Sequence, residues 1–464
     1  MKNIEPKIFK PYDIRGIYPE EINEETVELI GRALIIFLRK KEKKEKLKIV
    51  LSRDNRISSF SLYRALKRGI LEERGKVINI GLSSTPMFYF SVWKFGYDGG
   101  VQITASHLSP QYNGCKIVGR DAVLIAGESG LEEIKKIVFE LKNKKRSKKP
   151  KFLSKLNFQK NKNKQFLEEY IKLNLEEVEI KKIKDLKIAI DTGNAVSGSL
   201  IRKFKKFLPI RIYHLFPCLK GKFPNHLPDP LKEENLKDLK KIVLDKKLDL
   251  GVALDGDGDR IVFIDEKGET ILPDFISCLI IETLFHENIK EKIIYTVCSS
   301  NVIRDVAKKN NILAIPWRVG HSYIKDKMRG EGAVFGCEYS GHYFLSKYHF
   351  SETPLVILLK VLEKIAQEKK PISEIISKYK RYFYSGAINL EVRDKNEKIK
   401  ELEKKYKGEK ISFIDGLRVD FPDYWFSVRP SNTENILRLM IEAKTELLLK
   451  KKKEELKMII KNPA

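Results

Sequence analysis

The stretch LDLGVALDGDGDRIVFID, residues 248–265, runs an apolar segment into three aspartates, Asp255, Asp257 and Asp259, spaced by single glycines. Arg260 follows, and a second apolar segment begins. Short apolar runs bounded by turn residues read as buried strands, so the carboxylates belong on a tight connecting loop. Gly256 and Gly258 let the backbone fold until three like charges converge. Such crowding is unfavourable unless a cation occupies the centre. Three carboxylates from one short loop, with room for waters or a phosphate oxygen, suit a hard divalent ion, most naturally Mg²⁺. A solvated acidic turn is the competing reading, and the apolar segments on both sides weigh against it. A calcium loop fails: Glu266 falls at its twelfth position, but Arg260 stands where the turn needs glycine, and the flanks are not helical.

Working outward, one pattern occurs three times. LKIVL (47–51) runs into SRDNR and a helix from about Ser59 to Arg74. LKIAI (186–190) runs into DTGNAVSG and a helix, and EKIIYTV (291–297) into CSSNV and a helix. Strand, polar loop and helix repeated in this way predict three related α/β units with largely parallel sheets. Ligands of such sheets bind at the carboxyl ends of the strands, where these polar loops lie. Arg53, Asp54 and Arg56 either brace the first loop or face a ligand, and the brace is the preferred reading. Residues 24–40 carry Val27, Ile30, Leu34 and Phe37 at helical spacing.

Four further stretches carry chemistry. FKPYDIRGIYP (9–19) has no period and reads as a Pro/Gly-bounded loop, a setting in which Tyr12 and Arg15 either contact a ligand or are merely exposed. VQITASHLSPQYNGCKIV (101–118) puts Ser106 and His107 at an exposed strand end, with Lys116 where the chain becomes extended again. A serine beside a base and a cation can serve as a nucleophile, although Ser-His adjacency alone is weak evidence. In FGCEYSGHYFL (335–345), Glu338, Ser340 and His342 alternate, which predicts one polar face able to grip sugar hydroxyls. An alternating water-exposed strand is the plain alternative. RPSNTEN (429–435) gathers Arg429, Ser431, Asn432 and Thr433 with no acid before Glu434, a composition for holding phosphate or for a capping turn.

The 464 residues exceed one core and predict three or four domains, and 42% hydrophobic with 33% charged residues is a globular composition. No segment reads as a transmembrane span or signal peptide, and the five cysteines form no C-x-x-C pair, so a reducing, cytoplasmic setting is expected. The net charge of +27 points first to nucleic acid. Yet lysines are spread along the chain and mixed with glutamates, as in KKEKKEKLK (40–48) and KKKKEELK (450–457). Only 142–165, read as a linker, is strongly one-signed, and it offers few aromatics for stacking. Attraction of a small anionic substrate is the better reading, and neither nucleic acid nor membrane is expected as a partner. From about residue 380, AINLEVR, ISFIDGLRVDF, YWFSVRP and ILRLMIEA followed by a lysine-rich helix predict a smaller α+β domain.

With those motifs in order, FKPYDIRG, TASHLSPQYNGCKI, FPNHLPDP, DGDGDR, GHSYIKDKM, GCEYSGH and RPSNTEN, the chain resembles the α-D-phosphohexomutase family over essentially its whole length, and most of all its bacterial phosphomannomutase/phosphoglucomutase branch. The resemblance implies an α/β fold: three topologically similar domains with mixed sheets plus a smaller C-terminal α+β domain, around a central cleft. The expected divisions are 1–149 with the phosphoserine loop, 150–269 with the Mg²⁺ loop, 270–379 with the sugar loop and 380–464 with the phosphate loop. It implies that Ser106 is the phosphoserine, held by one Mg²⁺ on Asp255, Asp257 and Asp259. Phosphoryl transfer would run between C1 and C6 of mannose and glucose phosphates through a hexose 1,6-bisphosphate, which is intermediate and activator. Arg15, His107, Lys116 and His342 would be catalytic. Tyr12, Arg260, His321, Glu338, Ser340, Arg429, Ser431, Asn432 and Thr433 would bind substrate, the last four through its non-reacting phosphate. A monomer or homodimer is expected. A phosphoglucosamine mutase is the rival, against which FPNHLPDP and the absence of Gln at 339 count. A non-catalytic nucleic-acid-binding protein would leave the ordered motifs unexplained. Three departures stand out: Leu108-Ser109-Pro110 where relatives have Asn-Pro, Cys298 where bacterial relatives often have Lys, and Ser351-Glu352-Thr353-Pro354 in place of an Asp-Asp-Gly-like stretch.

Overall fold

The computed structural model describes residues 4–144, 162–284, 291–431 and 435–461. The chain forms two compact units, Met1–Ile271 with Lys347–Ile372, and Leu272–Ser346 with Ser373–Ala464.

In the first unit, three parallel strands, Gly99–Ile103, Lys48–Arg53 and Lys76–Leu82, lie side by side. Tyr112–Gly119 joins them antiparallel, and Ile14–Ile17 pairs antiparallel with that strand at the sheet edge. The second sheet repeats the scheme. Arg211–Leu215, Lys187–Asp191 and Leu250–Leu254 are parallel, followed by antiparallel Ile261–Ile264 and Thr270–Ile271. In the second unit, Leu313–Trp317, Lys292–Thr296 and Phe335–Cys337 are parallel and Tyr343–Leu345 is antiparallel. The expected threefold repeat is present, but the sheets are mixed rather than largely parallel. After its third parallel strand each unit of the repeat turns straight back instead of crossing over through a helix. A direct turn can only produce an antiparallel neighbour.

Apolar periodicity accounts for the helices. Glu24–Glu42 buries Val27, Ile30, Ala33, Leu34 and Phe37, and Asn23 caps it by accepting from the Thr26 amide at 3.1 Å. Ser59–Glu72 stops two residues before the expected Arg74, which takes a left-handed φ of 57°. The segment expected as a linker, 142–165, is helical at both ends, within Leu131–Asn143 and Asn163–Leu175, and 145–161 lie outside the described residues. The C-terminal sheet is antiparallel: Phe383–Tyr384, Ile388–Glu391, Lys410–Ser412, Leu417–Asp420, Tyr424–Pro430 and Ile436–Ala443. Its core takes Leu456 and Ile460 from Glu446–Lys461 and Leu402 from a helix the sequence did not announce, Lys395–Lys405. That helix has only a thin apolar stripe, but Asp394 caps it, accepting from the Asn396 and Glu397 amides at 2.7 and 3.0 Å. Among the described residues, no helix is long and apolar enough to cross a membrane.

Candidate active site

The three turns that follow the third parallel strands carry most of the candidate site residues: 104–111, 255–260 and 338–342. The first two lie in the first unit. Leu254 pairs with Ile261, so the aspartate loop is a tight reversal between buried strands, as its sequence predicts. Ser106 sits on the first turn at a left-handed φ of 52°, a conformation a serine keeps only where its surroundings impose it. Its Oγ donates to Asp255 Oδ2 at 2.9 Å and lies 3.2 Å from His107 Nδ1. Thr104 Oγ1 accepts from its amide at 3.0 Å. A Cβ on Gly256 would collide with the Ser106 carbonyl oxygen, so glycine there lets the two loops touch.

Asp255, Asp257 and Asp259 are buried and their ligand oxygens lie within 4.8 Å of one another. Asp255 Oδ1 accepts from the amides of Asp259 and Arg260 at 3.0 and 3.2 Å. Burial, then the neighbouring Asp259 and Asp257 charges, push its carboxyl well above the usual range. Asp257 Oδ2 accepts from Thr85 Oγ1 at 2.5 Å and from Lys116 Nζ at 2.6 Å, and Lys116 also donates to Asp259 Oδ2 at 2.5 Å. Burial works to neutralise Lys116, but the two carboxylates prevail and hold its ammonium charged well above its ordinary range. Asp257 Oδ1 is buried without a hydrogen-bond partner among the described residues. One ammonium facing three carboxylates leaves the cluster acidic, and an all-oxygen donor set with an unused buried oxygen fits a hard divalent cation.

Arg15 lies on Ile14–Ile17, not in the expected loop: its strand is recruited by Tyr112–Gly119, with Arg15 opposite Gly114. Pairing with a preformed edge overrides the lack of local period. Its guanidinium bonds Asp13 Oδ2 at 2.7 Å, and after burial and Asp13 the charges of Asp257 and Asp259 also act on it. Tyr12 is half-buried in the bend before this strand. Arg260 Nε is buried with no hydrogen-bond partner among the described residues. Lys116, on Tyr112–Gly119, and Ser106 are thus brought to one acidic centre with His107, Arg15 and Arg260 around it. Sequence reasoning did not single out Thr85. The signal was slight, a Ser-Ser-Thr-Pro helix start whose threonine caps nothing but hydrogen-bonds Asp257.

In the second unit, residues 338–342 form the hairpin turn between Phe335–Cys337 and Tyr343–Leu345, not the extended face expected from their alternation. Gly341 at φ 82° permits the reversal, closed by Glu338 N to His342 O at 3.0 Å and Gly341 N to Glu338 O at 3.1 Å. The turn still gathers the side chains. Glu338 Oε2 accepts from Ser340 Oγ at 3.2 Å and lies 3.1 Å from His342 Nδ1, which is 2.9 Å from Ser340 Oγ. Glu338 Oε1 accepts from the Gly320 amide at 2.7 Å, and the His321 ring stacks on His342 at 6.0 Å between centroids.

Arg429 lies at the end of Tyr424–Pro430 and does meet an acid: its Nη1 donates to Asp415 Oδ2 at 3.3 Å. The local sequence could not show this, because Asp415 comes from the 412–417 turn of the neighbouring hairpin. Ser431 is buried, its carbonyl accepting from Lys395 at 2.7 Å, while Asn432 and Thr433 lie outside the described residues. Cys298 is buried in an apolar cluster with Val297, Trp425 and Met440, where burial pushes its thiol up to about 11. It packs as a small hydrophobe where a lysine would bring charge.

Family models match along nearly the whole chain. They are the phosphoglucomutase/phosphomannomutase alpha/beta/alpha domains I (residues 6–145), II (165–268) and III (272–382), and the C-terminal domain (388–458). The chain is 34% identical to a phosphomannomutase of Methanocaldococcus jannaschii, covering 98% of this chain and 97% of the relative. It is 33% identical to a phosphoglucomutase of Neisseria meningitidis, covering 100% and 98%. A solved phosphoglucomutase/phosphomannomutase family protein of Burkholderia thailandensis superposes with a TM-score of 0.86 at 27% identity, covering 99% of this chain and 98% of that one.

Proposed function

Because the chain belongs to the phosphoglucomutase/phosphomannomutase family and is on that footing a hexose phosphate mutase, we propose that it moves the phosphoryl group between C1 and C6 of both mannose and glucose phosphates through a phosphoserine at Ser106. The observation that carries the reading is the Ser106 hydroxyl, buried and 2.9 Å from Asp255 within the acidic triad. A nucleophile at that position would stand against a cation site and away from bulk water. Asp255, Asp257 and Asp259 would hold Mg²⁺, which when bound supplies charge neutralisation for the transferring phosphoryl group.

The chain's own residues do the rest. The substrate hydroxyl attacks phosphorus, the bond from phosphorus to Ser106 Oγ breaks, and Arg15 and Arg260 stabilise the spreading negative charge. The departing proton goes to His107 or His342, while Lys116, held as an ammonium, acts electrostatically on the transferring group. Glu338 and Ser340 grip ring hydroxyls with His321 alongside. Arg429 and Ser431, with Asn432 and Thr433, anchor the other phosphate, and Tyr12 borders the substrate. The resulting hexose 1,6-bisphosphate reorients and returns its second phosphate to Ser106. The divisions at 149/150, 269/270 and 379/380 give one such loop to each domain. A cytoplasmic enzyme, monomeric or homodimeric, is the accompanying reading.

The test is turnover with Mg²⁺ and a trace of glucose 1,6-bisphosphate on glucose 1-phosphate, mannose 1-phosphate and glucosamine 6-phosphate in parallel. Comparable rates on the first two establish dual specificity. A clear lead for the amino sugar, or no turnover on any, overturns it.

A further inference from the structure

Arg56 is 2% exposed and lies behind the Ser106 turn rather than within the acidic centre. A guanidinium has five N–H donors in a rigid fork, and here they meet five acceptors. Nε donates to Asp54 Oδ2 at 3.1 Å. One terminal nitrogen donates to the carbonyls of Ser109 at 2.7 Å and Tyr112 at 3.3 Å. The other donates to those of Ser106 at 2.7 Å and Leu108 at 2.6 Å. Asp54 is itself fixed, accepting from the Arg56 amide at 2.9 Å and from Ser59 Oγ at 2.5 Å. The Phe223 ring, from the FPNHLPDP stretch, covers the guanidinium at 5.1 Å. Three carbonyls of one turn and that of the first residue of the next strand pointing at one side chain is an arrangement that secondary structure does not provide. It is centred on a serine held at φ 52°.

We infer that Arg56 is a positioning residue: its guanidinium gathers the 106–112 carbonyls, holds Ser106 in its left-handed conformation and so aims the hydroxyl at the acidic centre. The inference rests on the reading of Ser106 as the phosphoryl carrier. Arg56 reaches the carbonyl of Ser106 and not its hydroxyl, which bonds Asp255 instead. Lysine keeps the charge but has three donors and no fork, so it cannot serve both pairs of carbonyls. Displacement of a reacting atom by about 1 Å lowers a rate by roughly 100-fold.

The experiment uses the full chain labelled on serine with phosphate-labelled glucose 1,6-bisphosphate. The first-order rate constant for transfer of label to glucose 1-phosphate is then measured by rapid quench. A rate constant does not depend on the folded fraction, so loss of folded protein alone leaves it unmoved. For Arg56→Lys the expected result is a fall of about 100-fold in that constant, with KM for glucose 1-phosphate and the Mn²⁺ dissociation constant within about threefold of wild type. Methylguanidine should partly restore the rate of Arg56→Ala. A transfer constant within about twofold of wild type, with only the labelled amplitude reduced, overturns the inference and leaves Arg56 a purely structural residue. Should neither variant fold, Asp54→Asn, which keeps the arginine but loosens its anchor, must slow transfer, and an unchanged constant there counts equally against the inference. Failure of the wild-type serine to take up label removes the phosphoserine premise instead, a result distinct from either.

Discussion

Replacing Lys116 by methionine tests the electrostatics of the acidic centre without relying on turnover. The ammonium donates to Asp257 at 2.6 Å and to Asp259 at 2.5 Å, and all three side chains are 3% exposed or less, so solvent does not screen the pairs. Removing one partner of a buried ion pair leaves uncompensated charge and costs about 3–5 kcal/mol. For a unit of this size about 2 °C of melting temperature accompanies each kcal/mol, so Lys116→Met should melt roughly 6–10 °C below wild type in EDTA. The sign with pH is fixed by the raised lysine: its contribution is fully present below the unfolded value near 10.4 and is lost only as pH rises through the higher folded value, so at pH 7 all of it is at stake. The same ammonium occupies carboxylate oxygens that a divalent ion needs. Adding Mg²⁺ or Mn²⁺ should therefore raise the variant's melting temperature more than the wild type's and recover much of the loss. Thermal melts of both proteins in EDTA and in a metal titration read this directly. A variant that melts with wild type in EDTA, or whose response to metal is no larger, would refute the account.

Ser106→Ala should abolish sustained turnover while leaving the fold within about 1 kcal/mol of wild type, since it removes one hydrogen bond to Asp255; activity near wild type removes Ser106 from its role. Arg429→Lys should raise KM for glucose 1-phosphate by about tenfold, because an ammonium cannot clamp a phosphate bidentately; an unchanged KM in steady-state kinetics counts against the anchor. In the second unit, Asp274 accepts from the Ser300 amide at 2.6 Å, and burial above all, reinforced by Glu442, pushes its carboxyl up to about 7. The folded protein thus holds a proton there that the unfolded chain has lost, so this residue makes stability fall as pH rises from about 4 through 7. Melting temperatures from pH 5 to 8 should decline less in Asp274→Asn than in wild type, and parallel declines refute the assignment.

How much of this was legible in the sequence depended on whether the signal was local. The aspartate loop carries its own evidence, apolar strands on both sides and glycines between charges, and it folds as read. The buried face of Glu24–Glu42 is likewise a matter of spacing alone. Arg15 was misplaced in a loop because its strand exists only by pairing with Tyr112–Gly119. Alternation at Glu338, Ser340 and His342 looked like a strand, yet the glycine between the last two permits a turn that gathers the same side chains differently. Asp415 faces Arg429 from the next hairpin turn, 14 residues away, and Thr85 faces Asp257 from 172 residues away, contacts set by pairing between elements that no local reading could supply. The repeat itself was recognised at the wrong place. Its visible sign was the first strand, loop and helix of each unit, whereas the candidate chemistry sits on the return turn after the third parallel strand.

That placement explains why the three site loops look unrelated in sequence. A return turn between antiparallel strands is constrained at its ends by the ladder, while its middle is free to carry any side chain the backbone tolerates. Three copies of one frame can therefore present a serine, an acidic triad and a polar clasp without any change to the sheet beneath them. The constraint reappears only where two loops must touch. A Cβ at Gly256 would strike the Ser106 carbonyl, and one at Gly258, at φ 72°, would strike Ser197 Oγ. Those glycines are demanded by a neighbouring segment and not by their own turn alone. An alanine at Gly256 should consequently disturb the Ser106 loop more than the strands that flank the aspartates, because the atom it meets belongs to the other loop.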